Sequence, residues 1–214
     1  MLLVREHSQV LNVILHTIYG RPCDQFSPTN DTLSAAIAAL YTYGVPLAVH
    51  LAPGMPLFAL LVARTPGAPL FIYTLAAQYD LYDLAAQAST FLLSLKLVDI
   101  GQECADRIGP VYLQRLISLQ HARVEAMKEI LREPPGEHPP TDHCDAETQA
   151  GMTRAWMLTA AYLIWEARPE LTTTSMEVTF ENVAGSIRCT ACKTVFGERL
   201  ARALNSWAQQ RRTI

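Results

Sequence analysis

The sequence predicts an all-α protein with no substantial sheet. Segment after segment repeats apolar residues at the three-and-four spacing of one buried helical face, and Pro and Gly mark where those segments stop. No segment reads as a convincing strand. The composition agrees: 50% of the 214 residues are apolar and only 17% are charged, enough for a sizeable core and too little charge for long disordered tracts. A chain of this length is expected to form two packed pieces.

Taken in order, Ser8 is placed to cap a first helix whose Val10, Leu11, Ile14, Leu15 and Ile18 share a face, with Gly20 and Pro22 ending it. Asp31 or Thr32 opens a second helix carrying Leu33, Ile37, Leu40 and Tyr41, which closes on Gly44 and Pro46. One turn is expected over residues 47–51, then a short apolar and buried helix over 57–64. Pro69 suits a helix start, and Asp80 is placed to cap the next helix, through 93. Alanines 76, 77, 85, 86 and 88 leave little bulk between these two, so a close hairpin is expected.

A further helix is expected over 99–108, and Gly109-Pro110 restarts the chain in a long one that reaches Arg132. Its inward face should hold Val111, Leu113, Leu116, Ile117, Leu119, Val124, Met127, Ile130 and Leu131. Residues 133–145, rich in Pro, Gly, Asp and His, read as a flexible loop open to proteolysis. The helix over 147–167 is apolar around most of its circumference, which marks it as central, with Trp156 and Trp165 both in the core. Thr174 or Ser175 caps a shorter helix through 183, and residues 193–212 close the chain with Val195, Phe196, Leu200, Leu204 and Trp207 on one stripe. Arg199, Arg202, Arg211 and Arg212 form a solvated basic face beside that stripe.

The run Val10-Leu11-Asn12-Val13-Ile14-Leu15-His16-Thr17-Ile18-Tyr19, the segment from Leu33 through Tyr41, and Tyr43-Gly44-Val45-Pro46 resemble the last helices of a BTB (POZ) domain. Pro69-Leu70-Phe71-Ile72-Tyr73-Thr74-Leu75-Ala76-Ala77 and Arg154-Ala155-Trp156 resemble the helical C-terminal half of BTB-containing proteins of basidiomycete fungi. Together these likenesses cover nearly the whole chain. They imply a BTB-like remnant over residues 1–52 and a helical C-terminal domain over 53–214. A complete BTB fold opens with strands and helices that carry its small sheet and most of its dimer interface. None precedes Ser8, so a shortened chain is implied, for which BTB-type homodimerisation and cullin-ligase binding are not expected. The function implied is non-enzymatic: a regulator or adaptor whose helical hairpins offer a groove or apolar patch to a protein partner.

Charge and chemistry narrow the alternatives. With 17 Lys and Arg against 20 Asp and Glu the net charge is -3, so nucleic-acid binding has no support. Five cysteines and the charged Arg5-Glu6-His7 after the first four residues point to an intracellular, reducing compartment, cytoplasm and nucleus being equally compatible. No apolar run approaches the ~20 residues of a membrane span. Neither a nucleophile elbow nor a Gly-rich phosphate loop is present, and His7, His16, His50 and His121 are isolated.

The sharpest chemical pattern is Cys189-Thr190-Ala191-Cys192, whose two-residue gap lets both sulfurs reach one tetrahedral ion. Cys144 and His143, with His138 behind them, are the candidates to complete a zinc site that would pin the loop. One pair is half a site, and ordinary half-buried cysteines are the commoner explanation, so no cofactor is required. A metal- or small-molecule-binding helical protein with structural zinc stands as the alternative to the interaction module.

Overall fold

A computed structural model describes residues 5–166 and 168–214. Met1-Leu2-Leu3-Val4, and Ala167 at the expected end of the central helix, lie outside the described residues. Within them the protein is all-α, and the one β feature is an isolated bridge between Thr141 and Cys144. The chain divides into two compact units: one runs to Leu116 and takes in Thr213–Ile214, and the other is Ile117–Arg212. Residues 52 and 53, where the sequence places the end of the BTB-like remnant, both belong to the first unit. No helix among the described residues is long and apolar enough to cross a membrane.

The first unit opens with α1 (Ser8–Ile18) packed on α2 (Asn30–Thr42), burying Val13 and Ile14 of the one and Leu33, Ala36, Ile37 and Leu40 of the other. The caps differ from the sequence expectation by one or two positions. His7, not Ser8, accepts from the Gln9 N–H, and Thr29 accepts from the Thr32 N–H at 3.2 Å. Both helices end in a Schellman turn with glycine in the left-handed region: Gly20 lets Arg21 N–H reach the His16 carbonyl, and Gly44 lets Val45 N–H reach that of Leu40.

A single turn, α3 (Leu47–His50), leads to α4 (Pro56–Arg64), which buries Leu57 and Leu61. The hairpin of α5 (Pro69–Gln78) and α6 (Tyr82–Ser89) follows, with Ala76, Ala77, Ala85 and Ala88 buried where the helices meet. Asp80 does not cap α6. It stands at φ +53, closing α5 in the same Schellman pattern as the glycines, with Leu81 N–H donating to the Ala76 carbonyl at 2.8 Å. Its carboxylate accepts from the Tyr112 hydroxyl at 2.7 Å, while the Tyr112 carbonyl accepts from the buried Tyr73 hydroxyl.

The next helix, α7 (Gln102–Arg132), starts later than expected, because residues 97–99 form a separate 3-10 turn. It breaks at Gly109, whose φ of 75° and ψ of 163° are non-helical, with Pro110 beginning the second part. The buried face is Tyr112, Leu116, Leu119, Arg123, Met127 and Leu131, whereas Val111 and Ile117, expected inside, are exposed. The stripe steps by three and four residues from Tyr112; Leu116, Leu119, Met127 and Leu131 are expected on it from the sequence, and hydropathy alone misses Arg123 because it is charged.

In the second unit the part of α7 beyond Leu116 is joined by α8 (Ala146–Glu166), α9 (Thr173–Ala184) and α10 (Thr190–Ala208). Thr172 caps α9 by accepting from the Ser175 N–H, two residues ahead of the earliest cap expected from the sequence. The core centres on Trp156, fully buried, with the rings of Phe180 at 4.3 Å and Phe196 at 5.5 Å. The Trp156 indole N–H donates to the Leu131 carbonyl, and that of Trp207 to the Leu171 carbonyl.

Two expectations for this unit are corrected. Only one face of α8 is core, through Met152, Trp156, Ala160 and Leu163; Trp165 is 89% exposed and Leu158 73%. An apolar residue placed off the stripe by helical geometry stays outside whatever its hydropathy. Nor is Arg199 part of a solvated face, for it is buried, lies over the Trp156 ring at 5.1 Å, and donates to the Glu133 and Ile130 carbonyls at the end of α7.

Candidate metal centre

Residues 133–145 contain no helix, yet they are fastened at several points. Arg199 holds the start through the Glu133 carbonyl. In the middle, the buried Gln149 of α8 grips the backbone of His138 twice: its Oε1 accepts from the His138 N–H at 3.0 Å and its Nε2 donates to the His138 carbonyl at 3.0 Å. At the end, Thr141 and Cys144 exchange backbone hydrogen bonds of 3.0 and 3.1 Å across a tight turn. Asp145 then caps α8, accepting from the Thr148 N–H at 2.9 Å, and that N–H holds its carboxyl below the usual carboxylate range.

This local structure sorts the sequence-predicted ligands. Cys144, at the closing corner of the turn, points inward and is buried. His143, at the tip, is exposed and stands outside the ligand group. His138 joins instead, held by Gln149 at the right distance from α10. The structure therefore brings together His138, Cys144, Cys189 and Cys192, with all four ligand atoms within 4.8 Å of one another.

The second pair comes from the start of α10. Cys189 is the N-cap residue and Cys192 sits three residues on, so one helical turn puts both sulfurs on the same side. His138 Nε2 lies 3.2 Å from Cys192 Sγ and 3.5 Å from Cys189 Sγ, and Cys144 Sγ lies 3.5 Å from Cys192 Sγ. A tetrahedral ion with metal–sulfur bonds of about 2.3 Å and metal–nitrogen bonds of about 2.0 Å requires edges of roughly 3.5 to 3.8 Å. These three edges match to within a few tenths of an ångström, and all six lie within 4.8 Å.

The polar surroundings also suit a cation. His138 Nδ1 is 2.7 Å from the Pro139 carbonyl, which can only accept, so the proton sits on Nδ1 and the Nε2 lone pair faces the sulfurs. The backbone N–H groups of Cys192 and Ala191 stabilise negative charge on Cys189 and hold its thiol down to about 7 against the opposing effect of burial. Burial pushes the Cys192 thiol up to about 12 and raises that of Cys144 as well. Without an ion, one thiolate is favoured at the helix N-terminus and the other two sulfurs stay protonated; a divalent cation would reverse this by supplying the charge that three thiolates lack.

No family model, curated protein or solved structure matches this chain. The donor set therefore stands on its own geometry: three sulfurs and one imidazole nitrogen, two of the residues buried, able to hold a metal ion. Cys23 and Cys104, the other two cysteines, are free thiols in the first unit. The Cys-x-x-Cys spacing was the signal that located the site, and nothing in the sequence marked Gln149 as the residue that would select His138 over His143.

Proposed function

We propose that this is a non-catalytic helical protein whose second unit carries a structural zinc ion bound by His138, Cys144, Cys189 and Cys192. The convergence of these four ligand atoms, from two segments some 50 residues apart in sequence, is the observation that carries the reading. Three sulfurs and one imidazole favour zinc over the harder cations, which take oxygen. Four protein ligands leave no open position for a substrate, so the ion serves architecture. It would tie residues 133–145 to the start of α10, beside the Trp156 core. Metal analysis of protein purified without chelator tests this: about one zinc per chain is expected. Cys192→Ser and His138→Ala should lose it, and His143→Ala should keep it. Metal-free wild-type protein, or equal loss in His143→Ala, would sink the assignment.

A second reading is favoured by a different observation. Leu158, Tyr162 and Trp165 stand 73%, 55% and 89% exposed at intervals of four and three residues, forming one apolar stripe on α8. Contiguous exposed apolar surface with Trp and Tyr suits a protein contact. This supports an interaction module, and the resemblance to BTB-containing proteins suggests the task of a regulator or adaptor. Proximity labelling tests it: a reproducible partner lost in Leu158→Ser/Trp165→Ser is expected, and an identical labelling profile for the two proteins would refute it.

A further inference from the structure

Next to the ligand group the second unit holds a cavity of about 240 Å³. Its wall includes Gly151, Met152 and Ala155 of α8 on one side and Arg188, Cys189 and Cys192 on the other. Two of the four ligand residues thus border a space large enough for a small molecule. Cys189 is half-buried, whereas Cys144 is buried at 2% exposure. Closed coordination prevents substrate from binding the ion, but it does not shield a sulfur whose outer side faces a cavity. A zinc-bound thiolate keeps nucleophilic electrons.

We propose that Cys189 is a site of oxidation by small hydroperoxides, reached through this cavity, and that its disulfide with Cys192 expels the metal. The proposal rests on the zinc reading above. Cys189 sulfur attacks the outer oxygen of the hydroperoxide; the O–O bond breaks, an alcohol leaves after taking a proton from water, and a sulfenic acid remains. Cys192 sulfur then attacks Cys189 sulfur; the S–S bond forms, the S–O bond breaks, and the hydroxide departs as water after protonation. The hydroperoxide gains two electrons, one from each cysteine, and zinc keeps its charge throughout.

The geometry makes Cys192 the resolving sulfur. Both cysteines border the cavity, and both belong to the first turn of α10, so closing the disulfide needs no movement of the loop. The ion then has only Cys144 and His138 left and dissociates. Both of those belong to residues 133–145, which lose the metal tether to the first turn of α10 while keeping the Gln149 hydrogen bonds at His138 and the hydrogen bond from Arg199, farther along α10, at Glu133. Oxidation would in this way become a change in how firmly one loop is held.

The experiment uses the full-length, zinc-loaded protein, with tert-butyl hydroperoxide as oxidant, zinc release followed by a chromogenic chelator and disulfides mapped by peptide mass. Zinc content is counted before oxidant is added. Expected are release of the bound zinc in step with a Cys189–Cys192 disulfide, Cys104 still reduced, and recovery with dithiothreitol and zinc. Gly151 lines the cavity, so Gly151→Leu adds a side chain at its wall; a Cβ there meets only the Arg154 guanidinium at 3.9 Å, so the fold accepts it. This variant should hold zinc as the wild type does and release it roughly tenfold more slowly, since access governs the rate. Retained zinc with Cys189 unmodified, a disulfide to Cys144 instead, or equal release rates in Gly151→Leu would each overturn the proposal. Protein that carries no zinc at the outset refutes the zinc reading before oxidation begins and removes this switch with it.

Discussion

Two buried arginines show how single residues set this structure. Arg199 and Arg123 face carbonyl oxygens rather than carboxylates: Arg199 takes those of Ile130 and Glu133, and Arg123 those of Pro169, Gln210 and Arg211. Each guanidinium also lies over an indole, Arg199 on Trp156 and Arg123 on Trp207. The Ile130 carbonyl lies in the last turn of α7, where carbonyls have no partner within the helix and carry the negative end of its dipole, so a buried cation is stabilised there without a counter-ion; those facing Arg123 lie just beyond the ends of α8 and α10. Replacing Arg199 by Met keeps most of the volume and strands those carbonyls, at a cost of about 2–3 kcal/mol that urea denaturation should read. Arg199→Lys should recover only part of this, since an ammonium lacks the planar fork.

The cysteines give a second test at this scale, made on protein stripped of metal. Only a thiolate alkylates, so Cys189 should react with iodoacetamide in a rising curve centred near pH 7, slow below and fast above. Cys192, pushed up to about 12, should stay unreactive across the same range. Peptide mass mapping at several pH values separates the two, and equal reactivity would contradict the helix N-terminus account of Cys189.

Among the elements, α7 is the one whose break was legible and whose buried face was legible in part: Leu116, Leu119, Met127 and Leu131 were expected inside and are buried, while Tyr112 and Arg123 were missed. Gly109-Pro110 announced the break, and the backbone there occupies a region nearly reserved for glycine. Gly109→Ala should therefore cost about 1–3 kcal/mol although its Cβ meets nothing within 4 Å, because the penalty lies in the backbone. Thermal unfolding with α6 and α10 reporters would show it. The same limit shaped α8, where periodicity identified a helix but nearly every position from 155 to 165 was apolar, so the sequence could not say that Trp156 points inward and Trp165 outward. Several helix starts were legible to within one or two residues, but α7 begins at Gln102 rather than 99, α10 spans Thr190–Ala208 rather than 193–212, and α6 ends at Ser89 rather than 93. The caps fell on His7, Thr29 and Thr172 because several polar residues stand in a row at each start, and backbone geometry decides which one turns back.

At the scale of the whole molecule the prediction concerns metal removal. The ligand group ties residues 133–145 to α10 within the second unit, while the first unit has its own core around Leu40, Tyr73 and Leu84. Chelation should raise hydrogen exchange and proteolytic cutting at residues 133–145 and at the start of α10, and leave α1, α2, α5 and α6 unchanged. Uniform loosening of both units would contradict a local role for the ion.

The sequence by itself determined that this chain is helical, where most helices lie, that the chain breaks at Gly109, and that Cys189 and Cys192 form half of a ligand set. These follow from local rules: periodicity, Pro and Gly conformations, and a spacing shorter than one turn. Only the tertiary structure decided that His138 rather than His143 joins Cys144 and that Arg199 is buried. It likewise decided which of the two α8 tryptophans is core. Each of these depends on a partner far away in sequence: Gln149 for His138, the end of α7 for Arg199, Phe180 and Phe196 for Trp156. A one-dimensional pattern records what a residue prefers, whereas the choice between two adequate candidates is made by the neighbour that the fold brings to it.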